Sequence, residues 1–268
     1  MLSNGQMMKG RISSPGENLR AGVLLIHGLG EHIGRFDELA GVLLDSGIAF
    51  IAADLPGHGK SDGKRGCIKN YRLMHEMIDT LSGEFWKTFP GKPLFLYGHS
   101  LGGGIAMEYL TSCDSKFKGA VITSPWLKLS FEPEKSKILL AGIMKNIMPS
   151  LVQPSGLVAG NISHDSEVVE KYVNDPLVHD RISVGLFHNA VTAGKYSLEH
   201  ASSLKIPVLL MHGSDDRITS PDGSREAASK SPMIQLKIWD GGYHELHNEP
   251  FRREVFGYIT DWINLQLS

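Results

Sequence analysis

The chain reads as an α/β protein: a mostly parallel central sheet flanked by helices, with one helical cap inserted. Three observations carry that reading. Continuous apolar runs such as Ala21-Gly22-Val23-Leu24-Leu25-Ile26 and Ile48-Ala49-Phe50-Ile51-Ala52-Ala53 fit strands buried on both faces of a parallel sheet. Segments of helical period alternate with these runs, which is the rhythm of a wound sheet. Between Pro125 and about Val173 the rhythm stops, and Lys, Pro and Met become more frequent.

In chain order, Gly5 to Ile12 is a weak short strand, and Ser13-Ser14-Pro15-Gly16 is a turn. The strand at 21–26 runs into His27-Gly28-Leu29-Gly30-Glu31-His32, and Phe36 to Leu44 is an amphipathic helix. The strand at 48–53 ends in Asp54-Leu55-Pro56-Gly57-His58-Gly59-Lys60-Ser61. Asn70 can cap a helix from Tyr71 to Phe89 with Leu73, Met77, Ile78 and Leu81 on one face. Strands follow at Pro93 to Tyr97 and Gly119 to Thr123, around a helix from Gly102 to Ser112. In the insertion, with no strand evident, Leu140, Ile143, Met144, Ile147, Met148 and Leu151 form an apolar stripe. That stripe either packs on the core or is a mobile lid facing acyl chains or a membrane surface. After Leu186 the rhythm resumes with strands at Pro207 to Met211 and Ile234 to Trp239 and a closing helix from Glu249 to Leu267. The expected division is a core of 1–125 and 174–268 with a cap of 126–173.

Composition bounds the function. A formal net charge of −2, with basic residues scattered, gives no reason to expect nucleic acid. Two cysteines, Cys67 and Cys113, make no disulfide framework. No leader is evident, and no apolar run approaches the roughly 20 residues that span a bilayer. The expectation is a cytoplasmic protein, or one peripheral at a membrane surface.

Two nucleotide-site patterns fail. Gly28-x-Gly30 lacks the third glycine of a dinucleotide fingerprint, and Glu31 would face the pyrophosphate. Gly59-Lys60-Ser61 ends like a phosphate loop, but the position of its first glycine is Asp54. The twelve histidines include no His-Glu-x-x-His, so no metal site is expected.

The stretch Tyr97-Gly98-His99-Ser100-Leu101-Gly102-Gly103 contains Gly-x-Ser-x-Gly between a strand and a helix. That context makes a nucleophile elbow, with Ser100 lifted to the C-terminal sheet edge and the Leu101 N–H aimed at a developing oxyanion. A serine hydroxyl needs a general base, and the base needs an orienting carboxylate. Asp215 and Asp216 follow one later strand and His244 follows the next, in the order Ser, Asp, His of α/β-hydrolases. The Leu29 N–H would be the second oxyanion donor.

Together, His27-Gly28-Leu29-Gly30-Glu31-His32 with Gly34-Arg35-Phe36, the Asp54 to Ser61 loop, the elbow, Gly213-Ser214-Asp215-Asp216-Arg217 and Gly242-Tyr243-His244-Glu245-Leu246-His247 resemble the monoacylglycerol lipase and lysophospholipase branch of the α/β-hydrolase superfamily. The resemblance spans most of the chain outside the cap. It implies Asp216 rather than Asp215 as the carboxylate and His244 rather than His247 as the base. It further implies Glu31, Arg35 and His247 at the polar, head-group end of the pocket. The implied activity is hydrolysis of monoacylglycerols to fatty acid and glycerol through an acyl-enzyme, needing no cofactor. Alternatives are a lysophospholipase, a broad carboxylesterase, or a non-catalytic binding protein on the same fold. The implied partners are a lipid ester and, transiently through the cap, a membrane surface.

Overall fold

The computed structural model describes residues 1–68, 70–131 and 142–268. Its seven-stranded sheet is built from β1 (Gly10–Ser13), β2 (Ala21–Ile26), β3 (Ile48–Ala53), β4 (Leu94–His99), β5 (Gly119–Thr123), β8 (Val208–Gly213) and β9 (Ile234–Trp239). The spatial order is β1-β3-β2-β4-β5-β8-β9. Only β1 is antiparallel, pairing with β3 as Gly10↔Ala53 to Ser13↔Phe50. It begins later than the expected Gly5 because the preceding residues fold back on themselves, with Leu2 N–H bonded to the Gln6 carbonyl and Leu2 buried.

The helices are α1 (Asp37–Asp45), α2 (Arg72–Thr88), α3 (Leu101–Ser112), α4 (Ser166–Asn174), α5 (Val184–Glu199), α6 (Pro221–Lys230) and α7 (Arg252–Leu267). Asn70 Oδ1 accepts from Arg72 N at 3.0 Å, so the expected capping residue lies two residues before the first residue of α2. The two-residue period of each strand divides the core. Leu24, Ile26 and Leu96 face one layer with Met77 of α2, Ile105 of α3, Leu186 of α5 and Ala227 of α6. Val23, Leu25 and Phe95 face the other, with Leu43 of α1 and Ile259 of α7. All six residues of β2, β3, β4 and β8 are buried, which is why those strands read as unbroken apolar runs.

The segment expected to be an inserted helical cap differs from expectation in one respect. A strand does occur there: β6 (Val152–Pro154) pairs antiparallel with β7 (Arg181–Ser183). Three residues ending in proline carry no legible period, so pairing to a distant segment makes this strand rather than local pattern. Within the apolar stripe, residues 142–147 are helical, and Ile143, Ile147, Met148 and Leu151 are exposed rather than packed on the core. Leu140 lies outside the described residues.

Candidate active site

Four sheet elements deliver side chains to one edge. Ser100 joins β4 to α3 at φ 54° and ψ −117°, a strained conformation for a residue other than glycine. The surroundings enforce it. Ser100 N donates to the Thr123 carbonyl at 3.0 Å, and the Ser100 carbonyl accepts from Gly104 N and Trp126 N at 2.9 Å each. The elbow needs its glycine: a Cβ on Gly102 would stand 2.1 Å from the Ile26 carbonyl oxygen.

Ser100 Oγ lies 2.8 Å from His244 Nε2, and His244 Nδ1 lies 2.7 Å from Asp216 Oδ2. All three residues are buried. With Nδ1–H donating to the carboxylate, Nε2 is left to accept the serine proton, the tautomer a general base requires. Asp215 stays outside this chain; its carboxylate accepts from Ser214 Oγ instead. Beyond His244, Asp216 accepts at Oδ1 from Ile218 N (2.8 Å) and Thr219 N (3.0 Å), and at Oδ2 from His212 Nε2 (3.0 Å) and Thr219 Oγ1 (3.0 Å). Burial works to raise the Asp216 pKa, but the His244 charge and the hydrogen bonds from His212 and His244 outweigh it, holding the carboxyl far below its usual range. Burial likewise works to lower His244. The charge and hydrogen bond of Asp216, with Glu245 and Glu31 beyond, hold it above its ordinary value.

Leu101 opens α3, where the first N–H groups have no partner within the helix. Leu29 N–H has no hydrogen-bond partner among the described residues. Its loop is fixed on both sides. His27 Nδ1 meets the Gly28 carbonyl at 2.8 Å, and His27 Nε2 accepts from Leu55 N at 2.9 Å. Burial lowers the His27 pKa to about 4, so it stays neutral in this role. Beyond the loop, His179 N donates to the Gly30 carbonyl at 2.9 Å, linking it to the segment after α4.

Two small spaces meet at Ser100. One, about 20 Å³, is lined by Gly28, Leu29, Glu31, His99, Tyr172, His244 and Glu245 among others. The second, about 30 Å³, is apolar, lined by Trp126, Leu129, Phe131, Leu157, Ile182, Phe187 and Ile218. Of the three expected head-group residues, only Glu31 lines the first of these spaces. Glu31 Oε1 accepts from Gly28 N at 2.6 Å, and burial pushes its pKa up to about 7. Arg35 instead forks onto Glu245 at 2.6 and 2.7 Å, contacts Glu31 at 3.3 Å, and lies 4.6 Å from the Tyr172 ring. Its open side faces a surface groove lined also by His32, Lys171 and Asp175. His247 stacks on Phe36 at 4.3 Å and meets His99 edge-on at 4.8 Å, with neither ring nitrogen hydrogen-bonded. Burial lowers its pKa to about 3. His247 is a buried wall behind His99, away from the space at Ser100.

Sequence reasoning missed Glu245, His212, Thr219 and Ser124. Ser124 Oγ donates to the His244 carbonyl at 2.7 Å, and Thr219 Oγ1 lies 3.0 Å from both the Ser124 carbonyl and Asp216 Oδ2. The available signal was position: Ser124 follows β5 and His212 lies within β8, on the same sheet edge.

A hydroxyl, an imidazole and a carboxylate in line on the C-terminal edge of a mostly parallel sheet define a serine hydrolase of the α/β-hydrolase fold. The family model described as serine aminopeptidase, S33 matches residues 17–251, and the chain belongs to that family. An abhydrolase domain-containing protein of Dictyostelium discoideum is 32% identical over 100% of this chain, which spans 29% of that relative's length. A monoacylglycerol lipase of Mycolicibacterium smegmatis is 31% identical over 93% of this chain and 90% of its own. The crystal structure of a monoacylglycerol lipase from Paleococcus ferrophilus superposes with a TM-score of 0.90 at 34% identity, covering 97% of this chain and 99% of that one.

Proposed function

We propose that this protein hydrolyses monoacylglycerols to fatty acid and glycerol through an acyl-enzyme on Ser100. The observation that carries the proposal is the serine relay standing where an apolar space meets one walled on one side by Glu31, Tyr172 and Glu245. An ester carbonyl at Ser100 would send its acyl chain among Trp126, Leu129 and Phe187 and its glyceryl group towards Glu31. Ser100 Oγ attacks the carbonyl as His244 Nε2 takes its proton, and Asp216 stabilises the imidazolium. The N–H groups of Leu29 and Leu101 receive the oxyanion, each worth about 10²–10³ in kcat. His244 then protonates the glycerol alkoxide, and activates the water that releases the fatty acid. No group beyond these residues is needed for the cycle.

Segment 126–173 serves as the cap, since Trp126, Leu129, Phe131 and Leu157 supply the acyl side. No described helix is long and apolar enough to cross a membrane. The exposed Ile143, Ile147, Met148 and Leu151 suit transient contact with a lipid surface. The resemblance to monoacylglycerol lipases supports the ester reading over the aminopeptidase of the family's name. A panel of monoacylglycerols, lysophospholipids and aminoacyl-nitroanilides tests the proposal. Monoacylglycerols should give the highest kcat/KM, and Ser100→Ala should abolish turnover. Faster turnover of either other class, or wild-type rates in S100A, would overturn it.

A further inference from the structure

Asp216 holds two histidines rather than one. His244 Nδ1 lies 2.7 Å from Oδ2, and His212 Nε2 lies 3.0 Å from the same oxygen. His212 Nε2 also lies 3.1 Å from the Thr219 carbonyl. Both neighbours are acceptors, so Nε2 carries a proton. On the far side of the ring, His212 Nδ1 lies 2.7 Å from Ser224 Oγ, in α6. A ring with its one proton on Nε2 accepts at Nδ1, and in that tautomer the Ser224 hydroxyl donates. His212 and Ser224 are fully buried.

The result is a chain of five groups: Ser224 O–H to His212, His212 N–H to Asp216, His244 N–H to the same carboxylate, and Ser100 O–H to His244. Its outer half mirrors its inner half but stays within the core, away from the space at Ser100.

We infer that His212 is a positioning residue for the proposed hydrolysis: with its tautomer set by Ser224, it fixes the Asp216 carboxylate and moderates its pull on His244. This rests on the Ser100–His244–Asp216 reading. Oδ1 of Asp216 is fixed by two backbone N–H groups, but Oδ2 must face His244 while the imidazole gains and loses charge. The His212 N–H, together with the Thr219 hydroxyl, holds that oxygen in place, and of the two only His212 adds an ionisable ring. It also sets a partial positive charge beside the carboxylate, so the imidazolium gains less from Asp216 than it otherwise would. Among the described residues, the other ionisable groups around His244 are Glu245 and Glu31, which favour its charged form, His99, whose ring centre lies 4.9 Å away, and His247 behind His99. None of these touches His212.

The test compares pH profiles of kcat and KM for wild type, His212→Leu, His212→Gln and Ser224→Ala on one soluble ester. Fluorophosphonate labelling counts competent Ser100. H212L should lower kcat about tenfold or more, the scale of a hydrogen bond to an ionised acceptor. KM should stay within about twofold, since His212 lies outside the substrate spaces. The acid limb should move upward by about half a pH unit, because an unmoderated carboxylate stabilises the imidazolium more. H212Q, whose amide N–H can replace Nε2–H, should recover most of kcat and return the acid limb. S224A should fall between wild type and H212L. An H212L enzyme with wild-type kcat and acid limb overturns the inference, as does H212Q showing the same loss as H212L. Should H212L not fold, S224A decides: unchanged kcat and acid limb overturn the inference. Wild-type protein that hydrolyses the ester without labelling Ser100 overturns the triad reading first, and the inference with it.

Discussion

Replacing Asp216 by asparagine tests the relay at its least tolerant point. The geometry sets the outcome whichever way the new amide turns. With its nitrogen in place of Oδ2, an NH₂ faces the N–H groups of His244 and His212, at 2.7 and 3.0 Å in the native protein. With its nitrogen in place of Oδ1, it faces the N–H groups of Ile218 and Thr219, at 2.8 and 3.0 Å. Either way, donors meet donors in a buried site, and each unmet group costs about 1–3 kcal/mol. The least costly escape is for His244 to carry its proton on Nε2 and accept from the amide at Nδ1. That tautomer cannot take the Ser100 proton. A fall in kcat of about 10⁴ follows, equivalent to about 5.5 kcal/mol of transition-state stabilisation. Losing the anion also removes what holds the His244 pKa above its ordinary value, so the residual activity should have its acid limb at lower pH. The assay is steady-state hydrolysis of a nitrophenyl ester across pH, with circular dichroism to establish folding. A folded Asp216→Asn enzyme retaining more than a tenth of wild-type kcat would refute the reasoning.

Three other outcomes are expected. Glu31 has its pKa raised by burial from 4.5 to about 7, so the folded state binds more protons than the unfolded state between those values, and stability falls as pH rises through that window. Glu31→Gln removes this slope; its stability relative to wild type, from urea unfolding, should grow by up to about 3 kcal/mol between pH 4.5 and 8. Gly30→Ala places a Cβ 2.3 Å from the His179 carbonyl oxygen at φ +77°, so it should displace the Leu29 N–H and lower kcat by about 10²–10³ with folding retained. Leu96→Ala empties a fully buried site in β4 and should cost about 2–5 kcal/mol in denaturant unfolding while leaving KM unchanged.

Much of this architecture was legible because its signals are local. The double-sided burial of β2, β3 and β4 writes itself as apolar runs, and Ser100, Asp216 and His244 each stand at or just past a strand end, in chain order. What was not legible depends on pairing across the fold. Glu31 and Arg35 stand four residues apart, yet the strong partner of Arg35 is Glu245, 210 residues away, and no spacing announces that fork. His247 looks like a pocket residue by its place beside His244, but the 3-10 turn Leu246–Asn248 after Glu245 directs it onto Phe36. His212 sits inside a strand whose apolar run suggested only core, and its meaning appears once Ser224 from the next helix closes on it. The β6–β7 pair depends on residues 181–183, beyond the segment in which β6 lies.

The strand order has a consequence for how the protein reaches its working state. The Ser100–His244 bond joins groups 144 residues apart, and β5 and β8 lie between their strands in the sheet. Such a contact closes only after most of the non-local loops have closed, and those closures govern folding speed in proteins of high contact order. Helices can form early in refolding, while the proton path waits for β9 to dock at the far edge. Recovered esterase activity is therefore a clock for the last step of assembly, and should lag the recovery of helical ellipticity.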